Sequence, residues 1–330
     1  MAAALNNRGN AYQNKGDYVQ AIADYDQAIK LHSDSALIYN NRGRAYQQRG
    51  DYERAIQDYE QAIRLDPTSA LAFNNRGRVN HLQENYAQAI EDYDKAIALD
   101  PAYQLAYYNR AFARFDQGLF SASVADFARA VELDPSRAYR VLGLYLAKAR
   151  AGDLDRKDLA RHAARLDLTR WPGPVVALFL GQITPQAMIA AAQDPDPNAL
   201  RERYCEAYFY AGEFYLIHGQ RTAAVQMFQS AVATATTSLF EHSSAKGELR
   251  RLGRMGERKG GANQDSLRAL RYSSAVKSSR SSSQSRRMDV SKPGPIISPP
   301  WTGTTVPRPS PCRRNWWLPL ILTTSNPRLP

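Results

Sequence analysis

Residues Asn41 to Pro67 read NRGRAYQQRGDYERAIQDYEQAIRLDP, and the same wording recurs 34 residues away in both directions. Asn7-Arg8-Gly9, Asn41-Arg42-Gly43 and Asn75-Arg76-Gly77 stand in register, with Asn109-Arg110-Ala111 as a fourth, altered copy. An aromatic residue followed by Ala-Ile comes next each time: Tyr18 with Ala21-Ile22, Tyr52 with Ala55-Ile56, Tyr86 with Ala89-Ile90, and Phe120 with Ser123-Val124. A period of this length holds two short helices, and its recurrence predicts stacked hairpins in a solenoid.

The apolar spacing sets the packing. Ile38, Tyr39, Arg42, Gly43 and Tyr46 fall on one side of a first helix, and Ala55, Ile56, Tyr59, Ala62 and Ile63 on one side of a second. Gly16-Asp17, Gly50-Asp51 and Gly118 mark the tight turns between them, with Glu84-Asn85 as the exception. Asp66-Pro67, Asp100-Pro101 and Asp134-Pro135 close their copies, because proline cannot continue a helix interior. One hairpin cannot bury its apolar side alone, so neighbours must stack. Each Arg of the repeated triplet precedes an Asp by 16 residues: Arg8 and Asp24, Arg42 and Asp58, Arg76 and Asp92, Arg110 and Asp126. A later copy replaces both partners together, with Ala211 and Met227, which predicts a structural ion pair between the two helices of a hairpin. A ligand-binding row of arginines is the alternative.

Gly43, Tyr46, Ala55, Tyr59, Ala62 and Pro67 match in order the pattern of the tetratricopeptide repeat, and the chain resembles that family. A fifth copy, out of phase, runs through Gly212, Tyr215, Gly219, Ala224, Phe228 and Ala231. The second half resembles a narrower group, the bacterial envelope repeat lipoprotein called new lipoprotein I. The resemblance lies in Leu144-Tyr145-Leu146, Trp171-Pro172, Phe179 to Thr184 and Ala207 to Tyr215. It implies an all-α superhelix without catalysis, an adaptor recruiting envelope proteases or peptidoglycan hydrolases, often as a homodimer, in the cell envelope or periplasm. The acylated Cys and lipoprotein signal of that group are not found here; Met1-Ala2-Ala3-Ala4 leads straight into the first repeat. Compartment therefore stays open.

The expected division is four repeats over 1–135, a degenerate helical repeat and irregular insert over 136–198, a fifth repeat with a capping helix over 199–253, and a tail over 254–330. The net charge of +11 belongs to the tail alone: residues 1–253 hold 29 basic and 29 acidic side chains, and residues 254–330 hold 14 and 3. By bulk charge the repeat body is no polyanion-binding surface. Arg, Ser, Pro and Gly make up half of the tail, a composition that predicts disorder. Polyanion binding or a phosphorylatable linker are functional readings of it. An out-of-frame extension is the bland one. Leu318 to Leu322 is too short an apolar run to span a bilayer. Cys205 and Cys312 suggest neither a disulfide framework nor a metal site.

Catalytic patterns are missing from the sequence. No zinc-protease, phosphate-loop, nucleophile-elbow or paired-cysteine motif occurs, and His32, His81, His162, His218 and His242 are scattered. No cofactor is implied. An enzyme or its regulatory subunit, with an unrecognised hydrolase site, is the rival reading. Binding is better supported: in this repeat family the first helices line an inner face through one stripe. Here it carries Asn6, Asn10 and Gln13, then Leu37, Asn40, Arg44 and Gln47, then Leu71, Asn74, Arg78 and His81. In the fourth copy it turns aromatic with Tyr108, Phe112 and Phe115. Asn side chains both donate to and accept from an extended peptide, and Arg44 and Arg78 can grip a carboxylate. A merely solvated face is the alternative for the Asn row. For Phe112 and Phe115 core packing is expected, with an anchor pocket as the alternative. The partners expected are other proteins or peptides.

Overall fold

The computed structural model describes residues 1–257, with side chains through Gly253, and in that stretch the chain is helical with no strand. Four hairpins come first: α1 (Ala2–Asn14) with α2 (Tyr18–Leu31), α3 (Ala36–Gln48) with α4 (Tyr52–Leu65), α5 (Ala70–Leu82) with α6 (Tyr86–Leu99), and α7 (Gln104–Asp116) with α8 (Phe120–Leu133). Within each hairpin the two helices pack together, and the second also packs on the first helix of the next. The helices begin where side chains can satisfy free N–H groups: Asp17 accepts from the Gln20 amide at 3.1 Å and Asp51 from the Arg54 amide at 3.3 Å.

Close approach of the helices rests on the small residues. A Cβ added at Gly43 would lie 2.9 Å from the Tyr59 ring and 3.2 Å from the Ala55 carbonyl oxygen. The turns need a left-handed residue. Gly16, Gly50 and Gly118 take φ of 79°, 77° and 81°, while in the third hairpin Glu84 holds the same conformation at φ 66°.

The expected Arg–Asp pairs are hydrogen-bonded across all four hairpins. Arg42 forks onto Asp58 through Nε at 2.8 Å and Nη2 at 2.7 Å. Its third nitrogen reaches back to Asp26 of the preceding hairpin at 2.6 Å. Arg110 repeats the arrangement with Asp126 and Asp94. One guanidinium thus ties its own hairpin together and joins it to the one before.

The rest of the described chain comprises α9 (Ala138–Ala151), α10 (Arg156–Ala163), the short α11 (Gly173–Phe179) and α12 (Pro185–Ala190), then α13 (Pro197–Ile217), α14 (Arg221–Ala233) and α15 (Phe240–Glu257). Thr184 accepts from the Ala187 amide as the N-cap and Pro185 opens α12. The largest core lies in this half, around Leu142, Val176, Phe179, Phe209 and Phe228, and reaches back to Tyr108 and Phe112. α15 runs to Glu257, past the expected boundary at 253, and packs on α14, α13 and also α7. Residues 258–330, which carry most of the tail readings, lie outside the described residues.

Candidate interaction face

The inner stripe is held by α1, α3, α5 and α7, and its residues fall into three groups. Asn6, Asn40 and Asn74 are buried. Each carboxamide oxygen accepts from an Asn of the next hairpin at 2.9 Å: Asn6 from Asn41, Asn40 from Asn75, Asn74 from Asn109. This Asn row is a ladder between hairpins. The sequence shows why the ladder continues: the donors Asn41 and Asn75 directly follow the acceptors Asn40 and Asn74, and at Asn109, which follows Tyr108, it ends.

The second group sits one turn further on, in the first two hairpins. Tyr25 donates its hydroxyl to Asn10 at 2.7 Å and Gln13 at 3.0 Å, and Tyr59 donates to Gln47 at 2.9 Å. Arg44 Nη2 donates to Gln13 Oε1 at 3.2 Å. Donors remain unused here: Arg44 Nε and Gln13 Nε2 are buried with no acceptor. Arg78 stands in the equivalent position of the next hairpin and makes no ion pair among the described residues. Its guanidinium lies over the Phe240 ring at 5.7 Å, with the hydroxyls of Tyr93, Tyr59 and Tyr52 around it and the Glu241 carboxylate nearby. Burial pulls its pKa below the ordinary value, against the opposing effect of those tyrosines and Glu241. Arg44 and Arg78 contrast with Arg8, Arg42, Arg76 and Arg110, all of which are paired. Leu37 and Leu71, at the mouth of the stripe, are exposed.

In the third and fourth hairpins the stripe is covered. His81 donates from Nε2 to Asp116 Oδ2 at 2.7 Å, both side chains being fully buried. Phe240 stacks on His81 at 4.4 Å and on Phe112 at 5.6 Å. Tyr108, Phe112 and Phe115 are buried, Tyr108 edge-on to both Phe112 and Phe127. Arg251 of α15 donates to the Phe115 and Asp116 carbonyls at 3.0 and 3.1 Å. Phe112 and Phe115 take the core reading, and the cover is α15.

That cover was missed at the level of sequence. The visible signal lay in the stripe itself, which changes from Asn, Gln and Arg to His81, Phe112 and Phe115 where the cover falls, and in Glu84 at a glycine position. Residues 237–252 carry no 34-residue wording that would place them.

Comparison with known proteins agrees with this architecture. A TPR repeat model matches residues 43–84 and 77–118, and tetratricopeptide repeat models match 2–35, 24–57 and 105–137. A tetratricopeptide repeat protein from Parabacteroides merdae shares 16% identity over 74% of this chain and 98% of its own, with a TM-score of 0.50, and so shares the fold. The second TPR domain of human RPAP3, determined with an HSP70 peptide, is 30% identical over 34% of this chain and 94% of its own, with a TM-score of 0.33. The first TPR of Spaghetti, bound to an HSP90 peptide, is 27% identical over 36% of this chain and 94% of its own, with a TM-score of 0.35.

Proposed function

Since residues 2–137 match tetratricopeptide repeat models, we propose that the chain is a non-catalytic scaffold that holds a segment of another protein on the inner face of its first three hairpins. The observation that carries this reading is the pair of arginines, Arg44 and Arg78, standing in the same register with no carboxylate in ion-pair contact among the described residues, whereas Arg8, Arg42, Arg76 and Arg110 are all paired. A buried or half-buried cation without an anion costs stability, and an incoming carboxylate recovers it. The unused donors Arg44 Nε and Gln13 Nε2 supply the remaining hydrogen bonds. Asn10 and Gln47 flank them. The groove is bounded at its far end by Phe240, so the partner segment enters from the first hairpin and stops near Arg78.

The resemblance of the second half to the envelope adaptor group makes envelope proteases and peptidoglycan hydrolases the first clients to try. The buried His81–Asp116 pair lies beneath Phe240, away from any substrate path, which favours holding over hydrolysis.

The test is fluorescence anisotropy with labelled eight-residue acidic peptides and the intact chain. Arg44→Ala combined with Arg78→Ala should weaken binding at least tenfold while circular dichroism stays unchanged. Equal binding by wild type and the double variant would remove the arginine pair from the mechanism.

A further inference from the structure

The inner face of the third and fourth hairpins already has an occupant, and the way α15 sits there resembles a bound segment more than a core helix. Its buried face is largely polar: Glu241, His242, Ser243, Ser244 and Glu248 are buried, against Phe240, Ala245 and Leu252 as its buried apolar side chains. Neighbouring α13, by contrast, buries Tyr208, Phe209, Tyr210, Phe214 and Tyr215 in one run. Obligate core packing favours the second composition, and separable interfaces the first.

The anchoring is discrete. Phe240 fills a pocket walled by His81, Phe112 and Arg78. Just before it, the Thr237 carbonyl accepts from the Tyr52 hydroxyl at 3.4 Å. About three turns on, Arg250 pairs with Glu84 at 2.7 Å and Arg251 caps the end of α7 through the Phe115 and Asp116 carbonyls. Glu84 is telling. It occupies a left-handed turn position that glycine fills in three sister hairpins, a conformation that L-residues rarely adopt. The carboxylate placed there by that turn is the one that meets Arg250.

The geometry points to a helix-binding surface on the third and fourth hairpins that α15 holds in cis, and whose external partner is a helix of the same chemistry: an aromatic residue in its first turn, and a basic pair ten and eleven residues further on. The partner takes the surface by displacing α15. Arg78 borders both this pocket and the proposed peptide grip, but Glu84 and the end of α7 belong to this surface alone and Arg44 to the grip alone, so the two readings can fail separately.

The probe is a labelled peptide of residues 236–253, added to the full chain. A release variant, Phe240→Ala with Arg251→Ala, should bind it at least tenfold more tightly than wild type, and a peptide carrying Phe240→Ala should not bind. Equal binding by wild type and release variant overturns the proposal. Hydrogen exchange on the unaltered chain gives a reading that does not depend on the variant's folding. The α15 amides should exchange at least tenfold faster than those of α13. Exchange of α15 only with global unfolding would make it permanent core, and overturns the proposal too. Dimers of wild type built by exchanging α15 would assign the surface to a second copy and overturn the partner assignment.

Discussion

Arg42 carries more of the fold than its position on a polar helix suggests. It is one-fifth exposed and bonds to carboxylates of two successive hairpins, whereas Arg8, with no preceding hairpin among the described residues, is more than half exposed and bonds only to Asp24. Arg42→Ala leaves buried Asp58 without its cation, so denaturant melts should show a loss of about 3 kcal/mol. Arg8→Ala should cost distinctly less, and equal losses would contradict the two-hairpin role. Exchanging the charges of Arg42 and Asp58 should restore only part of the loss, because Asp26 then faces a carboxylate. The Asn ladder makes a parallel claim. Asn40→Ala strips Asn75 of its acceptor and should cost roughly 1–2 kcal/mol, read as a shift in the denaturation midpoint at unchanged slope.

At the scale of the elements, the turn between α5 and α6 and the helix α15 are one design. Glu84→Gly relaxes the left-handed turn and removes the Arg250 tie. The expected outcome is a melting temperature within a degree or two of wild type, with faster hydrogen exchange confined to α15. Slower or unchanged exchange in α15 would mean that the Glu84–Arg250 pair holds nothing. α9 and α13 are tied to α15 in a different way. Arg150 donates to Glu213 at 2.9 Å and to Glu248 at 2.8 Å, so one guanidinium serves two buried carboxylates.

The whole molecule buries more acid than it neutralises where α13 and α15 meet. Burial, with Glu241 and Glu202 as like charges, pushes the Glu206 carboxyl up to about 8 against the hydrogen bonds from Tyr139 and Trp171. Burial and Asp116 raise Glu241 to about 7, with Tyr210 facing it. Burial raises Glu213 to about 7 despite Arg150, with Glu248 and Arg251 also facing it. On the acid side, burial lowers His242 to about 4, beside Lys246. Raised acids contribute stability that is whole below their unfolded pKa near 4.5 and is lost as pH rises through 7 to 8. The lowered His contributes stability that is whole above 6.5 and is lost as pH falls toward 4. The melting temperature should therefore peak in mildly acid solution, roughly pH 5–6.5, and fall by several degrees toward pH 9. Glu206→Gln with Glu241→Gln should flatten the alkaline limb. A melting temperature flat from pH 6 to 9 in wild type would show that these acids do not resist ionisation.

The hairpins, their turns, the Arg–Asp pairs and the register of the inner stripe were all legible in the chain, because each is a local or next-neighbour relation that recurs every 34 residues. Repetition turns a weak pattern into a strong one. What became of that stripe was not legible. Asn40 as a ladder acceptor, Arg78 without an anion and Phe112 beneath Phe240 all depend on which remote surfaces meet. The α15 contacts join positions more than a hundred residues apart, with no periodic wording to pair them. Sequence spacing decides what faces inward; only the folded chain, returning on itself, decides how much of that inward face is left for a partner.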